Sequence, residues 1–329
     1  MKLTLEQMKE ITLGALHVEV NTAGEFCFYR FTEHQMEDVY IEIPDFYKKS
    51  KAAAGIRLDF ITDSETLSFR YTIKSGSSRK FYFFDCCVDG VMIAHEGEME
   101  MVAKAGEISL RLGEGKAERR VTVWLPGLSI VRLSDVTVDD GATLKRAPVS
   151  RKILVLGDSI TQGYDAVFSS QCYANKMAHM LDAEIVNQAI GGEIFRPAIL
   201  DEHLPFAPDL ITVAFGTNDW SGQTAENFEK NADGFYTKLA NLYPNTPVFA
   251  ILPIWRADWE KVTKAKPFHE SRAILKALAE KHPNFHVIDG MALTPHLPAF
   301  FSDLYLHPND LGFEIYAEEL VRRMTEIGF

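Results

Sequence analysis

Long hydrophobic runs are missing from this 329-residue chain; none approaches the ~18 consecutive apolar residues of a membrane-spanning helix. Positive charge is in deficit as well. There are 34 Lys and Arg against 46 Asp and Glu, and the net charge of −12 speaks against nucleic acid or an anionic membrane as a partner. Cysteine is scarce: Cys27, Cys86, Cys87 and Cys172 show no zinc-ligand spacing, and the adjacent pair would face opposite sides of a strand. They read as reduced structural thiols. No internal repeat or low-complexity tract is found. The first ten residues carry acidic side chains where a secretory leader has its apolar stretch, so a cytoplasmic protein is expected.

What is present is enough apolar material, 47% of the residues, for substantial cores. Single cores rarely grow past roughly 250–300 residues, so two domains are expected. The two halves differ in texture. Residues 12–145 alternate strand-like and turn-like segments, among them Val39–Ile43, Ile56–Ile61, Leu67–Ile73, Lys80–Asp85 and Arg120–Leu125. Their period-two patterning, with turns such as Asp89-Gly90 and Asp140-Gly141, predicts an antiparallel, jelly-roll-like β-sandwich with helix only at 4–11. From about 150 onward strands alternate with helices predicted at 168–182, 195–204, 224–243, 267–282 and 310–327. That is the signature of an α/β, flavodoxin-like doubly wound sheet of five parallel strands. The join falls at Ala147-Pro148-Val149-Ser150, giving domains 1–147 and 148–329, and so short a linker implies rigid packing.

The chemistry concentrates at strand ends of the second half. Gly157-Asp158-Ser159-Ile160 follows the apolar run Lys152–Leu156, so Ser159 leaves a buried strand at the sheet edge where ligands bind in such folds. A serine there either stabilises developing negative charge beside free helix-start N–H groups or simply caps a helix. Asn187-Gln188-Ala189-Ile190-Gly191-Gly192 follows another strand, Gly216-Thr217-Asn218-Asp219 a third, and Asp303-Leu304-Tyr305-Leu306-His307-Pro308 lies near the C-terminus. Each block alone is ordinary turn chemistry.

As an ordered set, the four blocks resemble those of the SGNH hydrolase (GDSL esterase/lipase) superfamily, over roughly residues 150–329. The resemblance implies Ser159 as nucleophile and His307 as its general base. It also implies an oxyanion hole from the N–H groups of Ser159 and Gly192 and the Asn218 amide. The chemistry agrees. A serine hydroxyl needs a base to take its proton, and the tetrahedral oxyanion needs fixed donors. The family places an aspartate three residues before the histidine, where this chain has Leu304. Asp303, one residue earlier, either reaches the imidazole through a changed loop or is a turn cap, in which case a backbone carbonyl orients His307. No metal or other cofactor is needed for this mechanism, and none is expected.

A β-sandwich before such a hydrolase resembles the layout of carbohydrate esterase family 2, which implies deacetylation of sugar hydroxyls. Trp220 and Trp255 either stack on sugar rings at the rim or pack between loops, while Trp259 is read as packing. Glu193 is a candidate pocket residue. Asp158 and Asp219 read as turn supports, and Arg256 and Arg196 as either contacts to an anionic substrate or plain surface residues. The leading expectation is a serine esterase for short acyl groups on a small or oligosaccharide ester. The alternatives are a short-chain lipid or thioester acylhydrolase and a non-catalytic carbohydrate-binding protein. The sandwich could bind glycans, form an oligomer, or wall one side of the cleft.

Overall fold

Five apolar strands build the sheet that carries the site: β1 (Arg151–Gly157), β2 (Ala183–Asn187), β3 (Leu210–Ala214), β4 (Val248–Ile251) and β5 (Phe285–Ile288). All pair in parallel, in the order β2-β1-β3-β4-β5. β2, and β1 from Ile153 onward, are buried at every position, because helices cover both faces. Those helices are α1 (Tyr173–Met180), α2 (Ala225–Leu242), α3 (Phe268–Ala279) and α4 (Asp310–Glu326). Along α2, Phe228, Ala232, Phe235 and Leu239 form the buried stripe. The computed structural model describes residues 1–102 and 104–329.

The N-terminal part is a sandwich of two antiparallel sheets. One is ordered Thr12–Leu13, Arg57–Thr62, Arg119–Trp124, Tyr82–Val88 and Val91–Glu98, with Lys145–Arg146 also pairing to Arg57–Thr62. The other runs His17–Val20, Phe26–Tyr29, Ser129–Val138, Thr66–Ser75 and Ala105–Arg111. Their inner faces share one core that includes Leu58, Phe60, Phe84 and Val123 from the first sheet and Phe69, Ile73, Leu110 and Leu133 from the second. Asp89 and Gly90, both at positive φ, turn the Tyr82–Val88 strand into its hairpin partner. The last sandwich strand ends at Arg146 and β1 starts at Arg151.

Two segments differ from their sequence patterns, and both lie where the two halves meet. Val39–Ile43 is no strand: Gln35–Tyr40 is a π-helical turn and Pro44–Ser50 a short α-helix. Met36 and Tyr40, four residues apart, turn inward with Phe31 and join the core around Val186, Ile190 and Phe195 of the parallel-sheet half. Burial across the junction overrides the local period of two. Pro44 at the first helical turn was the available signal for that second helix. The helix expected over 195–204 shrinks to a single 3₁₀ turn, Pro197–Ile199, because Phe195 and Ile199 are pulled into the same core.

Candidate active site

The turn after β1 is built around a close approach. A Cβ at Gly157 would lie 2.2 Å from Thr161 Oγ1 and 3.0 Å from Ala214 O, so the position admits only glycine without rearrangement. Asp158 caps the one-turn helix Ser159–Gln162, its carboxylate accepting the Ile160 N–H at 3.0 Å. This leaves Ser159 at the first helical position, with no acceptor for its own N–H among the described residues. Burial raises the Asp158 carboxyl to about 7, against the opposing pull of the Ile160 N–H and of His307 and Arg256.

The loop after β2 is tied to this turn. Asn187 donates to Thr161 O at 2.8 Å and accepts from Ala189 N at 3.0 Å, and Gln162 accepts the Gly191 N–H at 2.8 Å. Gly192 adopts φ +94°, a left-handed conformation suited to glycine, and its N–H has no acceptor among the described residues. Asn218 lies in the first turn of the short helix Thr217–Gly222 after β3 and spends one amide N–H on Glu193 O at 3.0 Å, leaving the other without an acceptor among the described residues.

The third piece is a closed loop before α4. Phe301 bridges Pro308 and Ser302 donates to His307 O at 2.8 Å, so residues 301–308 fold back on themselves. His307 Nε2 lies 2.9 Å from Ser159 Oγ, and its Nδ1 lies 2.8 Å from Asp303 Oδ2. A carboxylate only accepts, so Nδ1 carries the proton and Nε2 faces the hydroxyl as a free base. Leu304, at φ +55°, makes the missing register possible. Its left-handed turn sends the chain back over Asp303, whose Oδ1 accepts the N–H groups of Tyr305, Leu306 and His307 at 2.9, 2.7 and 3.1 Å. Burial alone would raise the Asp303 carboxyl, but the His307 imidazole and those N–H groups hold it well below the usual carboxylate range.

Residues 155–315 match the GDSL-like Lipase/Acylhydrolase family. The match spans the parallel-sheet half of the chain and takes in Ser159, Gly192, Asn218 and His307. The chain is thus an enzyme of the esterase type. Over nearly its whole length it resembles the salicylyl-acyltransferase SsfX3 of a tetracycline biosynthetic pathway. Identity there is 24%, 96% of this chain and 94% of that one are covered, and the TM-score is 0.79. A family two carbohydrate esterase from Clostridium thermocellum, solved with cellohexaose, is 18% identical over 84% of this chain and 93% of its own, at TM-score 0.66. An acetyl xylan esterase from the rumen bacterium Butyrivibrio proteoclasticus is 16% identical over 83% of this chain and 90% of its own, at TM-score 0.60. No curated protein matches the sequence.

Several candidates of the parallel-sheet half are engaged in packing and bracing. Trp220 is 1% exposed, donates its indole N–H to Lys266 O and packs edge-on against Phe268, so it offers no face to a sugar. Trp255 is buried against Phe301, under the histidine loop. Glu193 is 1% exposed: its Oε1 accepts from Ile194 N and from Arg196, and burial raises its carboxyl despite that arginine. Asp219 is buried, accepts the Phe195 N–H, and is likewise raised to about 7 by burial. Arg256 is buried; its guanidinium binds Thr217, Ser221, Asp258 and the Tyr305 hydroxyl, cross-bracing the Asn218 and His307 loops.

Sequence reasoning missed what the sandwich brings to this site. Arg30, fully buried, donates to Asn187 O and Ala189 O, and Lys49 donates to Gly191 O at 2.7 Å. The Phe46 ring sits 3.4 Å from where a Cβ on Gly192 would be. Arg79 forms a two-pronged ion pair with Asp165, whose Oδ2 is 3.6 Å from His307 Nδ1. Donor atoms of Asp165, Asp303 and His307 lie within 4.8 Å of one another. Arg79 already occupies both Asp165 oxygens, and Asp303 is committed to four N–H donors, so the cluster is spoken for without a cation.

Proposed function

We infer that the chain is a serine esterase that removes short acyl groups, chiefly acetyl, from carbohydrate hydroxyls. The observation that carries this is the 2.9 Å contact between Ser159 Oγ and the unprotonated face of His307, with Asp303 on the other nitrogen. Ser159 Oγ attacks the ester carbonyl carbon as its proton passes to His307 Nε2. The oxyanion is received by the N–H groups of Ser159 and Gly192 and the free N–H of Asn218, none of which must titrate. Collapse breaks the bond to the sugar oxygen, which takes the proton from His307. A water then repeats the sequence on the acyl-enzyme, with His307 as base, and acetate leaves.

Short acyl groups are favoured because Phe46 fills the space beside Gly192, next to where the oxyanion would sit. Carbohydrate as the alcohol is supported by the likeness to family two carbohydrate esterases and to an acetyl xylan esterase. A second reading has an observation of its own. The salicylyl-acyltransferase likeness covers 96% of this chain, and the same acyl-enzyme could hand its acyl group to an alcohol rather than to water.

The test is turnover of p-nitrophenyl acetate, butyrate and octanoate, then acetate release from acetylated xylo-oligosaccharides. Preference for acetate with release from the sugars is expected. Rates rising toward octanoate would replace this reading with a lipid acylhydrolase, and acyl transfer to added alcohols outrunning hydrolysis would favour the transferase.

A further inference from the structure

The parallel-sheet half does not complete its histidine site alone. Arg79 lies in the sandwich, in the loop joining strands Thr66–Ser75 and Tyr82–Val88, and its Nε and Nη2 reach Asp165 at 2.5 and 2.9 Å. Asp165 Oδ2 is 3.6 Å from His307 Nδ1, on the nitrogen that Asp303 holds at 2.8 Å. The same guanidinium lies 4.9 Å above the Tyr164 ring, and that ring stacks on the His307 imidazole with centroids 5.8 Å apart. One sandwich arginine therefore contacts both neighbours of the histidine that come from residues 164 and 165. Asp165 itself sits at φ +71°, a conformation few non-glycine residues hold without outside support.

We propose that Asp165, fixed by Arg79 of the sandwich, is a second carboxylate partner of His307, which makes the N-terminal domain a positioning part of the catalytic centre. This rests on the esterase reading above. At 3.6 Å Asp165 is outside hydrogen-bond range, so Asp303 takes the Nδ1 proton at rest. Its charge still faces the imidazolium that forms during acyl transfer. A small rotation of the ring offers Nδ1 to it. Two unpaired carboxylates on one imidazole would repel each other, and Arg79 cancels one of them. Asp158, buried beside Ser159, and Tyr164 also face His307. Arg79 and Asp165 touch no reacting atom, so both act through the histidine.

The experiment is a double-mutant cycle on the full chain, with Asp303→Asn, Asp165→Asn and the pair, read by kcat and KM on p-nitrophenyl acetate. It is read in parallel by the low-field proton NMR resonance of His307 Nδ1–H, which needs no substrate. Asp303→Asn should retain that resonance at a shifted position, and adding Asp165→Asn should abolish it. The pair should fall at least about tenfold below the product of the single effects, as expected of residues serving one partner. Arg79→Met should lower kcat about tenfold at unchanged KM, with Arg79→Lys recovering part of the loss. Multiplicative effects, a resonance already lost in Asp303→Asn, or a silent Arg79→Met would each overturn the proposal. Inactivity of the wild-type protein on every ester would instead defeat the esterase reading, while the resonance would still report on Asp165.

Discussion

Replacing Arg30 by methionine should damage stability and catalysis together, and the size follows from its contacts. Arg30 is fully buried and has no carboxylate partner among the described residues. Its guanidinium instead donates to four carbonyls, those of Ala52 at 2.7, Lys49 at 2.9, Asn187 at 2.5 and Ala189 at 2.8 Å. Burial pushes it down to about 9, so it remains a cation at neutral pH. Methionine keeps much of the stem's packing against Phe31 but leaves those oxygens dry. At about 1 kcal/mol for each stranded acceptor, the loss is about 4 kcal/mol. With an unfolding entropy of ~2.1 cal/mol/K per residue, that lowers Tm by about 6 °C. Two of the four acceptors belong to the loop ending at Gly192, so kcat per folded molecule should also fall about tenfold at little change in KM. Thermal melts and initial rates on p-nitrophenyl acetate measure both. A Tm shift under about 1 °C with full activity would refute the idea that this arginine holds the oxyanion loop.

Asn218→Ala should cost about 100- to 1000-fold in kcat and leave KM nearly unchanged, since the amide acts on the oxyanion and not on bound ester. Comparable losses in kcat and 1/KM would assign Asn218 to substrate binding. Asp158→Asn tests the buried carboxyl by stability against pH. The folded protein holds the Asp158 proton up to about 7, whereas the ordinary value is 3.8, so its favourable contribution is complete below that lower value and is lost as pH rises through 7. The asparagine variant should match wild type in unfolding free energy near pH 4 and gain on it up to pH 8, by no more than about 4 kcal/mol, as read from denaturant melts at each pH. A constant difference across that range would show that Asp158 does not titrate there.

The parallel sheet was readable because its strands are short, mostly apolar runs, two of which end at Gly157 and Asn187. The sandwich was readable from alternation wherever one face is wet, as in Ser129–Val138. The pattern failed where side chains are captured by the other half of the chain. Tyr40 and Phe195 answer to a core assembled from both halves, which no local window contains. Ser159, Gly192, Asn218 and His307 announced themselves through short blocks at strand ends. Asp303 stood one residue out of register, and only the left-handed turn at Leu304 brings its carboxylate to the imidazole. The tryptophans stayed open between stacking and packing because exposure is a tertiary property: Trp220 follows Asn218 by two residues and points into the core. Arg30, Arg79 and Asp165 lacked any signal, since Arg79 meets Asp165 across 86 residues of chain through loops without a motif.

The most direct measurement is rapid-quench mass spectrometry of the protein during turnover of p-nitrophenyl acetate, with peptide mapping of any adduct. The account predicts an acetyl group on Ser159 of the wild-type protein during turnover, strongly reduced in His307→Ala, where the base for acylation is gone, and absent from Ser159→Ala. Release of p-nitrophenol at the wild-type rate by Ser159→Ala, or an acetyl group mapped to any other side chain, would contradict it.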